Sequence, residues 1–181
     1  MKVSRRQKME VERFEVGDRI KVKLPGAKYT ATAVRQEDDG MLFVFDQFFD
    51  GAMPMNTDGG TEGGYEASDM RKYLQKAAET LPGKIAKLIV PFENGDKLRL
   101  LTITEVCGVD ANFNECEGQI PYFKDRRHRI ASRKGDEYEW MWTATAVSAA
   151  NFARVNGDGY ASYAGAGFAL GVRPAFKISN P

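Results

Sequence analysis

The stretch WMWTATAVSAANFARVNGDGYASYAGAGFALGVRPAF, running from Trp140 to Phe176, decides how this chain is read. Two tryptophans open it. From Thr143 onward Ala, Gly, Ser, Tyr, Phe, Val and Asn dominate. Asn156-Gly157-Asp158-Gly159 signals a tight turn, because Asn, Asp and Gly tolerate positive φ. Short strands are predicted on both sides of that turn, Asn151 to Val155 before it and Tyr160 to Tyr163 after it. Val172 to Ile178 reads as a closing strand. Pro174 has no N–H to give to a ladder, so that strand belongs at a sheet edge or is bulged there. Tyr on short loops offers large contact area at low entropic cost, and Ser and Gly add fit and hydrogen bonding. The same composition also suits a Gly/Ala-rich β-meander packed for structural reasons alone.

One absence favours the first of these readings. Between Thr143 and Phe176 there is no Lys, Glu, Gln, Met or Trp, although all five occur earlier in the chain. These are the types that no codon ending in C encodes, and every residue present in the stretch can be encoded by one.

Upstream, Phe14 to Leu24 alternates apolar and polar residues and predicts one half-buried strand. Pro25-Gly26 turns the chain, and Tyr29 to Val34 and Met41 to Phe45 are the next strands, joined through Asp38-Asp39-Gly40. Asp50 to Gly64 reads as a loop. Ser68 is placed to cap a helix from Asp69 to about Thr80, whose apolar face is Met70, Tyr73, Leu74 and Ala77. Pro82-Gly83 ends it. Ile85 to Val90 and Leu98 to Thr104 fit either two central strands or a short helix and a strand. The expected organisation is a charged lead-in, 1–12, followed by a single domain, 13–181, in which about 143–171 is the distinctive segment.

Composition narrows the function classes. The 181 residues are 43% hydrophobic and 28% charged, with a formal net charge of +1. That allows one core of useful size and gives no field to gather nucleic acid or an anionic membrane, so neither is an expected partner. No apolar run is long enough to cross a bilayer. The charged stretch Met1 to Glu12 is not an ordinary signal peptide, which predicts synthesis in the cytoplasm. Two cysteines, Cys107 and Cys116, are too few for a disulfide framework; free thiols are the default reading, although the short loop between them also permits a bridge.

Catalytic signals are weak. His128 is the one histidine, and any Ser/His/Asp or Cys/His device would need it. Its neighbours Arg126, Arg127 and Arg129 disfavour protonation, and no nucleophile motif accompanies it. No His/Cys spacing suits a metal, and no strand-to-helix glycine loop cradles a phosphate. Asp58, Asp158, Asn56 and Asn156 form no calcium loop and read as turn residues. Neither a metal nor another cofactor is expected.

These motifs together resemble a family. The Trp140-Met141-Trp142 start, the 151–170 segment and the ending Gly171-Val172-Arg173-Pro174-Ala175-Phe176 look like an uncharacterised domain family of gut bacteria and their phages. Phe14-Glu15-Val16-Gly17-Asp18, Gly63 to Leu74 and Ile120-Pro121-Tyr122-Phe123 extend the likeness over most of the chain. The ending is similar to that of C-type-lectin-like and formylglycine-generating-enzyme-like domains, and some members resemble variable proteins of diversity-generating retroelements. The resemblance implies an α+β, C-type-lectin-like fold of short mixed strands, one or two helices and a long irregular C-terminal region. It further implies a non-catalytic protein that binds a protein or glycan on a cell surface, as a homo-oligomer or within a virion. The rival is a structural module of a virion or surface assembly without variation. Carried over residue by residue, the ligand-binding set is Arg154, Gly157, Tyr160, Ser162, Tyr163, Ala164, Gly165, Phe168 and Leu170. Trp140, Val155, Val172, Arg173 and Phe176 are the implied scaffold. The calcium-binding triplet of sugar-binding lectins is missing. Cys107 and Cys116 also lie outside the segment where an oxidase would need its cysteine or copper pair.

Overall fold

The computed structural model describes residues 13–49, 51–133 and 139–180, so the lead-in expected over 1–12 and Asp50 of the expected loop lie outside the described residues. Strands β1 (Arg19–Leu24), β2 (Ala27–Glu37) and β3 (Gly40–Phe45) run as an antiparallel meander, and β7 (Ala175–Ile178) joins it to give the order β1-β2-β3-β7. A second antiparallel sheet has the order β4 (Met141–Ala146), β5 (Asn151–Val155), β6 (Ala161–Gly165). Four short helices are α1 (Gly64–Ala67), α2 (Asp69–Ala78), α3 (Gly83–Ala86) and α4 (Ile103–Cys107), with 3-10 turns at Pro121–Lys124 and Arg126–His128. The architecture is a small α+β protein with two antiparallel sheets and few helices.

Alternation along the strands explains the layering. Met41, Phe43 and Phe45 of β3 enter one buried cluster, and Leu42 and Val44 enter a second. The same division holds for Trp142 against Met141, Phe152 against Ala153, and Phe176 against Ala175. Each sheet therefore has apolar material on both faces, as a strand apolar at every position requires. Met70 and Leu74 of α2 close the first cluster, and Ile103 and Val106 of α4 close the second. Both helices are capped as their sequences demand. Ser68 Oγ accepts from the Arg71 amide, and Thr102 and Glu105 form a reciprocal capping box.

The ending Gly171-Val172-Arg173-Pro174 is the seam between the sheets. The Trp142 amide donates to the Gly171 carbonyl, the Phe49 amide to Val172 and the Phe45 amide to Pro174. A Cβ on Gly171 would stand 2.6 Å from ring carbons of Phe48, so no other residue fits without moving that ring. Arg173 is buried, and its guanidinium donates to the carbonyls of Phe45 (2.8 Å) and His128 (2.9 Å). Burial pushes its pKa down to about 10, against partial support from Asp46 and Tyr122.

Four expectations need adjustment. The strand expected from Phe14 begins only at Arg19, because Gly17 takes φ +102° and the Asp18 amide closes a turn onto Glu15. The helix at Asp69 ends at Ala78 rather than near Thr80. Within 85–90 and 98–104 lie isolated bridges, Ile89 to Ile178 and Arg99 to Ala175, between α3 and the start of α4. They line the outer side of β7, which is why that edge strand is buried at all four positions. The closing strand starts after Pro174, consistent with a residue that cannot donate to the ladder.

Candidate recognition face

The turn between β5 and β6 is organised by Asn156. Its Oδ1 accepts from the amides of Asp158 (3.0 Å) and Tyr160 (2.9 Å), and its own amide donates to the Tyr160 carbonyl. Gly159 adopts φ +83° and packs on Arg126, whose Cγ would lie 2.7 Å from an added Cβ. The turn thereby delivers Tyr160 to Arg126, and the guanidinium stacks on the ring at 4.4 Å.

Cross-strand register assigns the rest. Phe152 pairs with Ala164 and Arg154 with Ser162, so these four share a face. Phe152 enters the first core cluster and Ala164 packs on it. Ala153 pairs with Tyr163, Val155 with Ala161 and Asn151 with Gly165, which puts Tyr163 and Gly165 on the opposite face. The Phe168 ring lies over Gly165, within 3.2 Å of where a Cβ would sit, on the Tyr163 side. The set expected from the sequence is therefore divided between the two faces of one sheet and wraps the free edge of β6.

Exposure varies across that set. Tyr160, Tyr163 and Phe168 are 54%, 57% and 66% exposed, and Trp140 is 50% exposed. Ser162, Ala164, Gly165, Gly157 and Arg154 are half-buried. Leu170 differs: at 9% it belongs to the first core cluster, bridged to Met53, and only its edge floors a hollow of about 310 Å³ beside Trp140. Its assignment to the ligand-facing set is corrected accordingly. Trp140 is the reverse case, expected as scaffold but open to water. Trp142 does that work instead, fully inside with Nε1 donating to the Met53 carbonyl at 2.7 Å. Val155, Val172, Arg173 and Phe176 are buried.

Two neighbours were not selected from the sequence. Phe113, at the tip of the loop after α4, is the one non-glycine among the described residues with positive φ, +63°. Its ring packs on the second core cluster and lies 6.2 Å from Tyr163. Trp140 carries the Arg154 guanidinium on its face at 3.5 Å. Nothing in local sequence spacing announces either contact, since both partners are distant along the chain.

His128 is half-buried, stacked on Tyr122 at 4.1 Å, with Nδ1 2.8 Å from the Tyr122 carbonyl. Cys107 and Cys116 are unbridged, and burial raises the Cys107 thiol to about 11 against the opposing pull of Arg129. Among the described residues no group of three or more His, Cys, Asp or Glu is placed to hold a metal ion. No described helix is long and apolar enough to cross a membrane. Asp58 Oδ1 accepts from the Gly60 amide and Asn156 Oδ1 from turn amides. A cleft of about 370 Å³ lies outside this face, where Arg35, Arg99 and Lys177 are matched by Glu37, Glu105 and Asp39.

No curated protein and no solved structure matches the chain. A family of domains of unknown function, DUF6273, matches residues 39–180, from the β2–β3 turn through β7. The chain thus belongs to the DUF6273 family, and the matched region holds every strand and turn of the face just described.

Proposed function

We propose that this chain is a non-catalytic binding protein whose recognition surface is the rim formed by β6, the Asn156–Tyr160 turn and the tip of the Phe113 loop. One observation carries the reading. Four of the six large hydrophobic side chains exposed on the described surface, Trp140, Tyr160, Tyr163 and Phe168, fall between residues 140 and 168, in or beside this rim. Aromatics left in water on a framework of buried Val155, Val172 and Phe176 are the usual anchors of recognition. We further propose that the domain is C-type-lectin-like and acts as the variable protein of a diversity-generating retroelement. In this reading it is encoded by a phage or prophage and recognises a host surface molecule. The composition of 143–176 supports this, and three residues of the expected set, Tyr160, Tyr163 and Phe168, stand exposed. Leu170, which is buried, falls out of that set.

The test is a set of alanine variants at Tyr160, Tyr163 and Phe168, alone and combined. Capture of host cells by the protein should be lost while each single variant keeps its melting temperature within about 2 °C, since isolated surface changes cost at most about 0.5 kcal/mol. A cooperative loss of stability would show these rings to be core. A reverse-transcriptase gene with a near-copy of the 143–176 coding segment nearby would support variation. Without them, the alternative of a fixed structural module in a virion or surface assembly gains ground.

A further inference from the structure

The edge of a β-sheet presents unpaired N–H and C=O groups that invite another strand, and folded proteins charge or cover such edges. Three of the four sheet edges here are managed in that way. β1 carries exposed Arg19, Lys21 and Lys23. β7 is covered through the bridges of Ile89 to Ile178 and Arg99 to Ala175. β4 is covered by its bridge to Gly171 and by Leu101, whose carbonyl accepts from the Ala144 amide. β6, at the end of its sheet, has neither defence. Ala161, Ser162, Tyr163, Ala164 and Gly165 include no charged residue and no proline, and the register with β5 runs without a bulge.

The Asn156 amide donates to Tyr160 and the Ala166 amide to Ala150, so even-numbered residues of β6 bond to β5 and the odd-numbered ones point outward. The outward amides of Ala161, Tyr163 and Gly165 and the Ala161 carbonyl have no partner among the described residues. The Tyr163 carbonyl accepts from Arg154 Nε at 2.9 Å and keeps its second lone pair. The Gly165 carbonyl is taken by the Phe168 amide. Outward groups repeating every second residue, about 7 Å apart, match the backbone of another extended strand.

That strand is best supplied by a second copy. Edge defences act against self-association, because a chain always meets its own copies, and this is the one edge of four left bare. In an antiparallel pair about a two-fold axis, outward residues must face outward residues. Centring the axis on Ser162 lets Ala161 exchange both bonds with Tyr163 of the second copy, and Tyr163 with its Ala161. This uses the open amides, the open Ala161 carbonyl and the remaining lone pair on Tyr163. The same alignment sets each Tyr163 ring beside a small Ala161 side chain, brings two small Ser162 side chains together, and opposes no like charges within β6. Other alignments fit worse. Centring on Tyr163 opposes two rings, and two carbonyls that already hold Arg154. Centring on Ala164 calls on the occupied Gly165 carbonyl, and centring on Ala161 calls on Gly159, held in its turn at φ +83° against Arg126. We propose that two copies of the chain pair through β6, antiparallel with Ser162 at the two-fold axis, and join their small sheets into one. The pairing goes beyond the binding reading and does not rest on it. It uses main-chain groups of β6, whereas that reading rests on aromatic side chains.

Sedimentation velocity of the full chain in reductant, over a range of concentrations, tests this. A short strand pair is a small interface, so the 20.2 kDa monomer should pass to a dimer with a dissociation constant on the order of 100 µM. Ser162→Lys sets two like charges face to face at the axis and should weaken dimerisation about tenfold or more. Ser162→Cys should cross-link into a dimer on mild oxidation, because a non-hydrogen-bonded pair holds its Cα atoms about 4.5 Å apart, within disulfide reach. This variant is made with Cys116→Ser, since Cys116 is exposed. Tyr160→Cys in the same background is the control: Tyr160 is exposed but faces Ala164 of the second copy, so it should cross-link far less. The cross-link reads the pairing even if Ser162→Lys unsettles the sheet. A chain that stays monomeric throughout leaves β6 to a strand of another protein and overturns the proposal. So does a dimer indifferent to Ser162→Lys, or equal cross-linking from Ser162→Cys and Tyr160→Cys. Capture of host cells by a chain that stays monomeric would leave the binding face standing while the pairing falls.

Discussion

Phe113 and Tyr163 meet with ring centroids 6.2 Å apart and planes inclined at 41°, and Phe113 holds its backbone at φ +63°. A left-handed backbone at a residue with a Cβ costs about 1 kcal/mol. The fold bears this strain at the tip of a loop whose ring lies beside an exposed Tyr. Phe113→Gly relieves that strain but removes a half-buried ring packed on the second core cluster, so urea stability should fall by about 1 kcal/mol or less, while ligand capture weakens. A loss of more than about 2 kcal/mol would show that the ring serves mainly to cover that cluster.

Gly171 should tolerate no side chain. A Cβ there collides with the Phe48 ring, and the same residue joins β4 to the seam through its carbonyl. Gly171→Ala is expected to cost roughly 2 kcal/mol by overpacking. Shrinking the obstacle in Gly171→Ala/Phe48→Leu should recover part of that loss, measured by chemical denaturation.

Acid should unfold the protein through Glu105. Burial tends to raise this carboxyl, but the hydrogen bonds and charge of Arg99, the Thr102 amide and Arg35 outweigh it and bring the pKa down to about 2. A folded pKa below the unfolded value means that the contribution is present above pH about 4.5 and is lost as pH falls toward 2. Glu105→Gln should flatten the fall in stability across that window. It should also cost about 3 kcal/mol at neutral pH by leaving Arg99 without its charge partner.

The two thiols should differ in reactivity. Cys116 is exposed, whereas Cys107 is partly buried with its pKa raised to about 11, so little thiolate forms there near pH 8. A thiol reagent should label one equivalent quickly in the native protein and the second only on unfolding. Rapid labelling of both would contradict the placement of Cys107.

Local signals in the chain determined a good deal of this structure. Alternation gave the strand around Val22, an apolar run bounded by turn residues gave those around Ala31 and Phe43, Ser68 marked a helix start, and Asn156-Gly157-Asp158-Gly159 marked a turn, because each depends on residues only a few positions apart. The composition of 143–176 also singled out the segment that holds most of the exposed aromatic side chains. What it could not give was direction. Leu170 and Tyr163 are both apolar-bodied residues in one Gly/Ala-rich run, yet one seals the core against Met53 and the other stands in water. Trp140 and Trp142 are two residues apart and would share a face of a strand, but only Trp142 has sheet and loop packed over it. Exposure, the meeting of Phe113 with Tyr163 and the placing of Arg154 on Trp140 were decided by tertiary structure, because each depends on which distant segment the sheet register brings alongside.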